Sequence, residues 1–215
     1  MQIQLRNLVP IPLKDKLADR ASDIWNTNRT FEPEQWIKIK APSGTGKTTF
    51  INILYKVRHD YTGEVLWGDK NLISLSGDEL AKMRQHTVSV VFQDLRLFQH
   101  LTARENIELN RVLQTPFYEA DVIDAMAKQL GIHHILDQKA GVCSYGEQQR
   151  IAIVRALVQP FTWLILDEPF SHLDIANTKK AAALIAEECK KRNAGFVLTE
   201  LDEDDNFAYS NKYIL

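Results

Sequence analysis

Between the apolar run Trp36–Lys40 and the apolar stretch Phe50-Ile-Asn-Ile-Leu54 runs a segment, Ala41-Pro-Ser-Gly-Thr-Gly-Lys-Thr48, that few backbones can accommodate. Gly44 and Gly46 let the chain curl so that successive N–H groups converge on one point. A strand entering such a loop and a helix leaving it bring a helix N-terminus to the same point, which makes an anion site. The spacing fits the phosphate-binding loop G-x-x-x-x-G-K-[ST], with Ala41 in the first glycine position. Lys47 then supplies a point charge for the β and γ phosphates of a nucleotide, and the Thr48 hydroxyl suits Mg²⁺. A Cβ at position 41 is tolerated wherever φ is negative, so the alanine leaves the loop usable.

A second segment completes this chemistry. Trp163-Leu-Ile-Leu-Asp167-Glu168 is an apolar strand ending in two carboxylates. An aspartate at a strand end near a phosphate loop is placed to hold Mg²⁺. Adjacent residues of an extended chain point apart, so Asp167 and Glu168 can take separate roles, Glu168 as general base toward a water. Further short apolar runs, Val88–Phe92 and Phe196–Thr199, are separated by helical stretches, which predicts an α/β fold with a mostly parallel sheet covered on both faces. Gly63-Glu-Val-Leu-Trp-Gly68 reads as a hairpin strand of a small antiparallel portion. The region from about 94 to 159 reads as mainly helical. Thr102-Ala-Arg-Glu105 and Ser144-Tyr-Gly-Glu147 have the S/T-x-x-E form that opens a helix, and Pro160 closes the second one.

Bulk properties narrow the setting. A chain of 215 residues suits one domain, here 1–215 with the helical region inserted. The formal net charge of −2 offers no general basic surface, so no nucleic-acid partner is expected. Cys143 and Cys189 stand far apart without metal spacing, which fits a reducing compartment. His59, His86, His100, His133 and His134 show no metal spacing either. No stretch approaches the roughly 18 apolar residues of a membrane span, and the first residues lack the apolar core of a signal peptide. The expectation is a cytoplasmic protein with no direct membrane insertion.

The run Cys143-Ser-Tyr-Gly-Glu-Gln-Gln-Arg-Ile-Ala-Ile-Val-Arg-Ala-Leu157 resembles the signature motif of ABC ATPases, LSGGQ or LSGGEQQR. Ser171-His-Leu-Asp174 resembles their D-loop, Gln93 in Val91-Phe-Gln-Asp-Leu95 their Q-loop, and Leu101–Ile107 the segment after it. The matches follow one another from about Trp36 to Asp174 in family order. The resemblance implies the ABC ATPase form of the P-loop NTPase fold, ATP and Mg²⁺ as ligands, and ATP hydrolysis coupled to a membrane transporter subunit. It implies that Pro42, Ser43, Gly44, Thr45, Gly46, Lys47, Thr48 and Thr49 cradle the nucleotide. Thr48, Gln93 and Asp167 then hold Mg²⁺, and Glu168, Lys47 and Gln93 carry the chemistry. Two copies would pair head to tail on ATP, with Ser144, Gly146 and Glu147 of one facing the nucleotide of the other. Ser144 has an alternative reading, as a helix cap alone. Glu147-Gln-Gln-Arg150 and Leu75-Ser-Gly-Asp-Glu-Leu-Ala-Lys-Met-Arg84 look like the branch of lipoprotein-release, macrolide-exporter and cell-division ATPases. The family setting is peripheral, on the cytoplasmic face of the inner membrane.

Three departures stand out. Tyr145 and Cys143 occupy positions where the family has glycine and leucine; the tyrosine either alters a partner's approach or lies on the surface without consequence. Glu200, after Phe196-Val-Leu-Thr199, takes the place of the switch histidine, and no histidine follows His172. An ionised carboxylate near a γ-phosphate would cost on the order of 4 kcal/mol at 4 Å and an effective dielectric of 20, so slow turnover is expected, or an ATP-gated regulatory role with little hydrolysis. No aromatic residue in Leu13–Ser22 offers itself to stack on adenine; Trp25 is the nearest, with a core role the stronger expectation. Asp94-Leu-Arg-Leu-Phe98 sits where family members receive a helix of the membrane subunit, and Leu95, Leu97 and Phe98 fit either that docking or internal packing.

Overall fold

The computed structural model describes residues 1–17, 20–203 and 205–215. Nine strands and seven α-helices follow in chain order among them: β1 (Ile3–Pro10), α1 (Lys14–Leu17), β2 (Asn28–Phe31), β3 (Trp36–Lys40), α2 (Lys47–Leu54), β4 (Tyr61–Trp67), β5 (Lys70–Asn71), α3 (Gly77–His86), β6 (Val88–Val91), α4 (Ala103–Leu113), α5 (Ala120–Gln129), α6 (Tyr145–Val158), β7 (Trp163–Asp167), α7 (Ile175–Lys191), β8 (Gly195–Glu200) and β9 (Asn211–Ile214). The strands form two sheets. One is antiparallel with order β2-β1-β4-β5; the other has order β6-β7-β8-β3-β9, all parallel.

Side-chain alternation explains how the parallel sheet is held. Leu164, Leu166, Phe196 and Leu198 point to one face and join the core built from α4, α5, α6 and α7. Trp163, Ile165 and Val197 point to the other, together with Ile37 and Ile39, where they meet α2 and the antiparallel sheet. Each strand is thus buried on both faces, which is why it reads as a continuous apolar run. The hairpin expected around Gly63–Gly68 is β4 turning into β5. Both S/T-x-x-E starts form full capping boxes, Thr102 with Glu105 and Ser144 with Glu147, and Ser76 with Glu79 makes a third at α3. Sequence reading missed β1, β2 and β9, whose pairing is decided by distant partners.

The parallel strands all end at one edge. Lys40, Asp167 and Glu200 are the last residues of β3, β7 and β8, and the pairs Lys40↔Glu200 and Asp167↔Thr199 set them side by side. The loops that leave this edge carry the polar residues singled out above, where open α/β sheets place their ligands.

Candidate functional site

The loop between β3 and α2 takes its shape from two left-handed glycines, Gly44 at φ 79° and Gly46 at φ 100°. Gly46 caps α2 without any side-chain hydrogen bond, so the first N–H groups of the helix keep no internal partner and face the loop's concavity. The underside is packed. A Cβ on Gly46 would stand 2.7 Å from Leu13 Cδ1 and 3.3 Å from Trp25 Cζ2. Trp25 Nε1 donates to Thr45 O at 3.1 Å, and its ring packs edge-on against Phe50. Trp25 is therefore a core residue that braces the loop, as its stronger expectation had it. Of the stretch Leu13–Ser22, Ala18 and Asp19 lie outside the described residues.

Pro42, Ser43, Gly44, Gly46, Lys47, Thr48, Thr49, Gln93 and Glu168 line one cleft of about 340 Å³, with Leu201. Thr45 is buried beneath it, its hydroxyl donating to Pro42 O at 2.7 Å. Within the cleft four side chains form a chain of contacts. Lys47 Nζ lies 2.9 Å from Glu168 Oε1, both side chains being over nine-tenths buried, and also donates to Ala41 O at 2.8 Å. Gln93 Nε2 donates to Glu168 Oε2 at 3.2 Å, and Gln93 Oε1 accepts from Thr48 Oγ1 at 3.3 Å. Glu168 leaves the line of β7 at φ 48°, and its carboxylate meets Lys47 and Gln93 while that of Asp167 meets Thr199.

Asp167 is buried at the strand end. Thr199 Oγ1 donates to its Oδ1 at 2.8 Å, while Oδ2 is buried with no hydrogen-bond partner among the described residues. Burial pushes its carboxyl above the usual carboxylate range, against the pull of the Thr199 bond, and the neighbouring Glu168 adds to the rise. A buried carboxylate oxygen without a partner, beside a threonine hydroxyl and a glutamine amide oxygen, is an all-oxygen donor set of the kind Mg²⁺ takes when a nucleotide supplies further oxygens. No group of three His, Cys, Asp or Glu residues among the described residues could hold a metal alone. The residues fit Mg²⁺ as a companion of a phosphate ligand.

Other residues stand apart from this cleft or support it. Ser144, Gly146 and Glu147 do not line it. The Ser144 hydroxyl and N–H both meet Glu147 Oε2 at 2.8 Å, which holds the Glu147 carboxyl below the usual range. Tyr145 reaches inward instead: its hydroxyl donates to Gln93 O at 3.4 Å, its ring lies 4.2 Å from His172, and it lines a second cavity shared with Thr48, Gln93 and Asp167. Glu200 ends β8, and its carbonyl accepts from Ala41 N at 2.9 Å. The pair Leu95 and Leu97 is buried in the helical core, so the apolar surface expected there reduces to Phe98, half-exposed and edge-on to His100. Sequence reading overlooked Gln149, whose amide donates to Glu168 O at 3.0 Å and accepts from His172 N at 3.1 Å, fixing the turn after β7. The only signal was a polar residue on an otherwise apolar helix face.

Comparison with known proteins adds to this geometry. The family model described as ABC transporter matches residues 24–171. The glucose import ATP-binding protein GlcV of Saccharolobus solfataricus is 34% identical over 189 residues, 87% of this chain and 53% of that protein. The ABC transporter ATP-binding protein YvcR of Bacillus subtilis is 34% identical over 170 residues, covering 78% and 66%. The thiamine import ATP-binding protein ThiQ of Salmonella typhimurium is 32% identical over 178 residues, covering 81% and 72%. The chain thus spans about half the length of the first of these relatives and 66% of the second. Among solved structures, the dimeric bacterial ABC transporter cassette MJ0796 superimposes with a TM-score of 0.77 at 26% identity, over 93% of this chain and 88% of that one. Its post-hydrolysis dimer bound to ADP and Pi gives 0.76.

Proposed function

We propose, from the premise that the chain belongs to the ABC transporter family, that it binds ATP with Mg²⁺ and hydrolyses it to drive a separate integral membrane subunit. The observation that carries this is the linkage Lys47–Glu168–Gln93–Thr48 at the carboxyl ends of β3 and β7, with the partnerless Asp167 oxygen beside it. It joins a phosphate-seeking cation and a general base in one cleft, and Thr48 and Gln93 extend from that cleft to the adjoining cavity where Asp167 completes a metal donor set.

In this reading the N–H groups of the loop from Pro42 to Thr49 cradle the phosphates. Lys47 moves from Glu168 to the β- and γ-phosphate oxygens, which releases the glutamate. Thr48, Gln93 and Asp167 would hold Mg²⁺, whose chemistry there would be charge neutralisation at the phosphate oxygens. Glu168 orients a water and takes its proton as the water oxygen bonds to the γ-phosphorus and the bond to ADP breaks. Two copies pair on ATP, each offering Ser144, Gly146 and Glu147 to the other's nucleotide. The dimeric cassette that superimposes on this chain supports that pairing.

Residues 1–215 act as one ATPase domain, with about 94–159 as its helical subdomain. No described helix is long and apolar enough to cross a membrane. In this reading the chain is a peripheral subunit on the cytoplasmic face of the inner membrane, working through a membrane partner that determines cargo and direction. The kinship with lipoprotein-release, macrolide-exporter and cell-division ATPases rests on Leu75–Arg84 and Glu147–Arg150; the relatives named for glucose and thiamine import place no such limit. Glu200 in place of histidine makes turnover slow.

Steady-state ATP hydrolysis with Mg²⁺, beside Glu168→Gln and with size followed by light scattering, tests the reading. Turnover that vanishes in the variant, with ATP-dependent dimers, is the expected result. Dimers without turnover in either protein would favour an ATP-gated regulatory subunit, and turnover unaffected by the substitution would remove Glu168 as the base.

A further inference from the structure

Gln93 is held from two directions. Its side chain faces Thr48 and Glu168, as described, and the backbone that carries it runs along helix α6. Arg155, on that helix, donates from Nη1 to Arg96 O at 2.7 Å and from Nη2 to Leu95 O at 2.6 Å. Those carbonyls belong to two consecutive non-glycine residues in the left-handed region, Leu95 at φ 57° and Arg96 at φ 48°. Residues with a Cβ adopt that region only when their surroundings compel it.

The arrangement is mutually dependent. The Arg155 guanidinium is largely desolvated, which draws its pKa down to about 10 and still leaves it charged at neutral pH. No carboxylate bonds it among the described residues; Asp94, itself bonded to Arg96, acts on it only as a nearby charge. Two carbonyl dipoles, turned toward it by the left-handed pair, stand in for a counterion. The turn is secured further by Arg96, whose guanidinium lies 3.5 Å from the centre of the Phe92 ring and bonds Asp94 at 3.2 Å. At the far end of α6, Tyr145 donates to the Gln93 carbonyl. The chain is therefore fixed at the carbonyl of the residue whose amide meets Thr48 and again two and three residues later.

We propose that Arg155 is a positioning residue, which through the Leu95–Arg96 turn sets the Gln93 amide against Thr48 and Glu168, on the cavity it shares with Asp167, and so makes metal-supported nucleotide binding depend on helix α6. This rests on the reading of Lys47, Thr48, Gln93 and Asp167 as the nucleotide and Mg²⁺ site. The two bonds need a planar fork; a lysine keeps the charge and reaches one carbonyl at a time. Any load that shifts α6 is transmitted to the metal side of the cleft, while the phosphate loop, built on β3 and α2, is left undisturbed.

The test uses the full chain and ATP itself. ATP affinity is measured in EDTA and across a Mg²⁺ series for the wild type, Arg155→Lys, and Arg155→Lys with Arg96→Gly; amide hydrogen exchange of residues 93–97 is followed in parallel. Arg155→Lys is expected to leave the affinity in EDTA unchanged, to raise the Mg²⁺ concentration for half-maximal tightening about tenfold, the low end of losses seen when a residue supporting a metal ligand is altered, and to speed exchange in 93–97. Glycine at 96 adopts a left-handed φ without compulsion, so the double variant is expected to recover part of the wild-type Mg²⁺ requirement, the Leu95 strain and the lost Arg96 contacts to Phe92 and Asp94 withholding the rest. An unchanged Mg²⁺ requirement in Arg155→Lys overturns the proposal, as does a raised requirement with unchanged exchange in residues 93–97. Should the wild type bind ATP no more tightly with Mg²⁺ than in EDTA, the reading of the site falls, and the exchange comparison still decides whether Arg155 holds the turn.

Discussion

Glu168→Gln, titrated with ATP in EDTA, measures how strongly the resting cleft resists its ligand. Lys47 Nζ stands 2.9 Å from Glu168 Oε1, with side-chain exposures of 9% and 8%. At that distance the attraction is about 6 kcal/mol at an effective dielectric of 20, and desolvation of the two groups removes much of it. Lys47 also keeps its bond to Ala41 O at 2.8 Å, and a glutamine oxygen can still accept from it. The net coupling is then roughly 1–3 kcal/mol. A triphosphate must take Lys47 from Glu168, so wild-type binding is weaker by that amount. The substitution removes the competition, and ATP affinity in EDTA rises by about 5- to 140-fold at 1.4 kcal/mol per tenfold. Without nucleotide the variant melts below the wild type, because the buried ammonium has lost its counterion; saturating ATP closes the gap by mass action. Calorimetric titration, with light scattering to verify a monomer, gives the affinity, and thermal melting gives the stabilities. Equal affinity in variant and wild type, with equal nucleotide-free melting, would refute the claim that Glu168 holds Lys47 against the ligand.

Three further substitutions read other parts of the same design. Asp167→Asn keeps an oxygen for the Thr199 hydroxyl and removes a charge whose folded-state pKa is raised, so the wild-type penalty exists above the usual carboxylate range and fades as pH falls below it. Melting at neutral pH should gain about 1 kcal/mol, or roughly 2–4 °C, while Mg²⁺ no longer tightens ATP binding; the gain should shrink in acid. Glu200→His is expected to raise the steady-state hydrolysis rate, and an unchanged or lower rate would clear Glu200 as the cause of slowness. Trp25→Ala empties a fully packed site under the phosphate loop and cuts the bond to Thr45 O. It should cost about 3–5 kcal/mol in denaturant unfolding, with a matching loss of ATP binding.

What could be read from the chain depended on how local each cause is. The phosphate loop needs two glycines, a lysine and a threonine in sequence, and the cap of α6 needs only Ser144 and Glu147, so both stand in the sequence in full. The apolar runs of β3, β6, β7 and β8 were legible because burial on both faces leaves no alternation to misread. Strand β2 was not: Asn28–Phe31 carries a weak pattern, and its place follows from pairing with Ile3–Arg6 far upstream. The same holds for the left-handed turns at Leu95, Arg96 and Glu168, since no glycine marks them and they exist because Arg155, Gln149 and the strand ends compel them. Leu95 and Leu97 fitted an outside partner and internal packing equally, because composition cannot tell which way such a turn points; both are buried. Where a residue's conformation is imposed by a partner distant in sequence, a local pattern carries its type but not its role. That is why Lys47 and Glu168 could each be named from the sequence, while the ion pair that joins them could not.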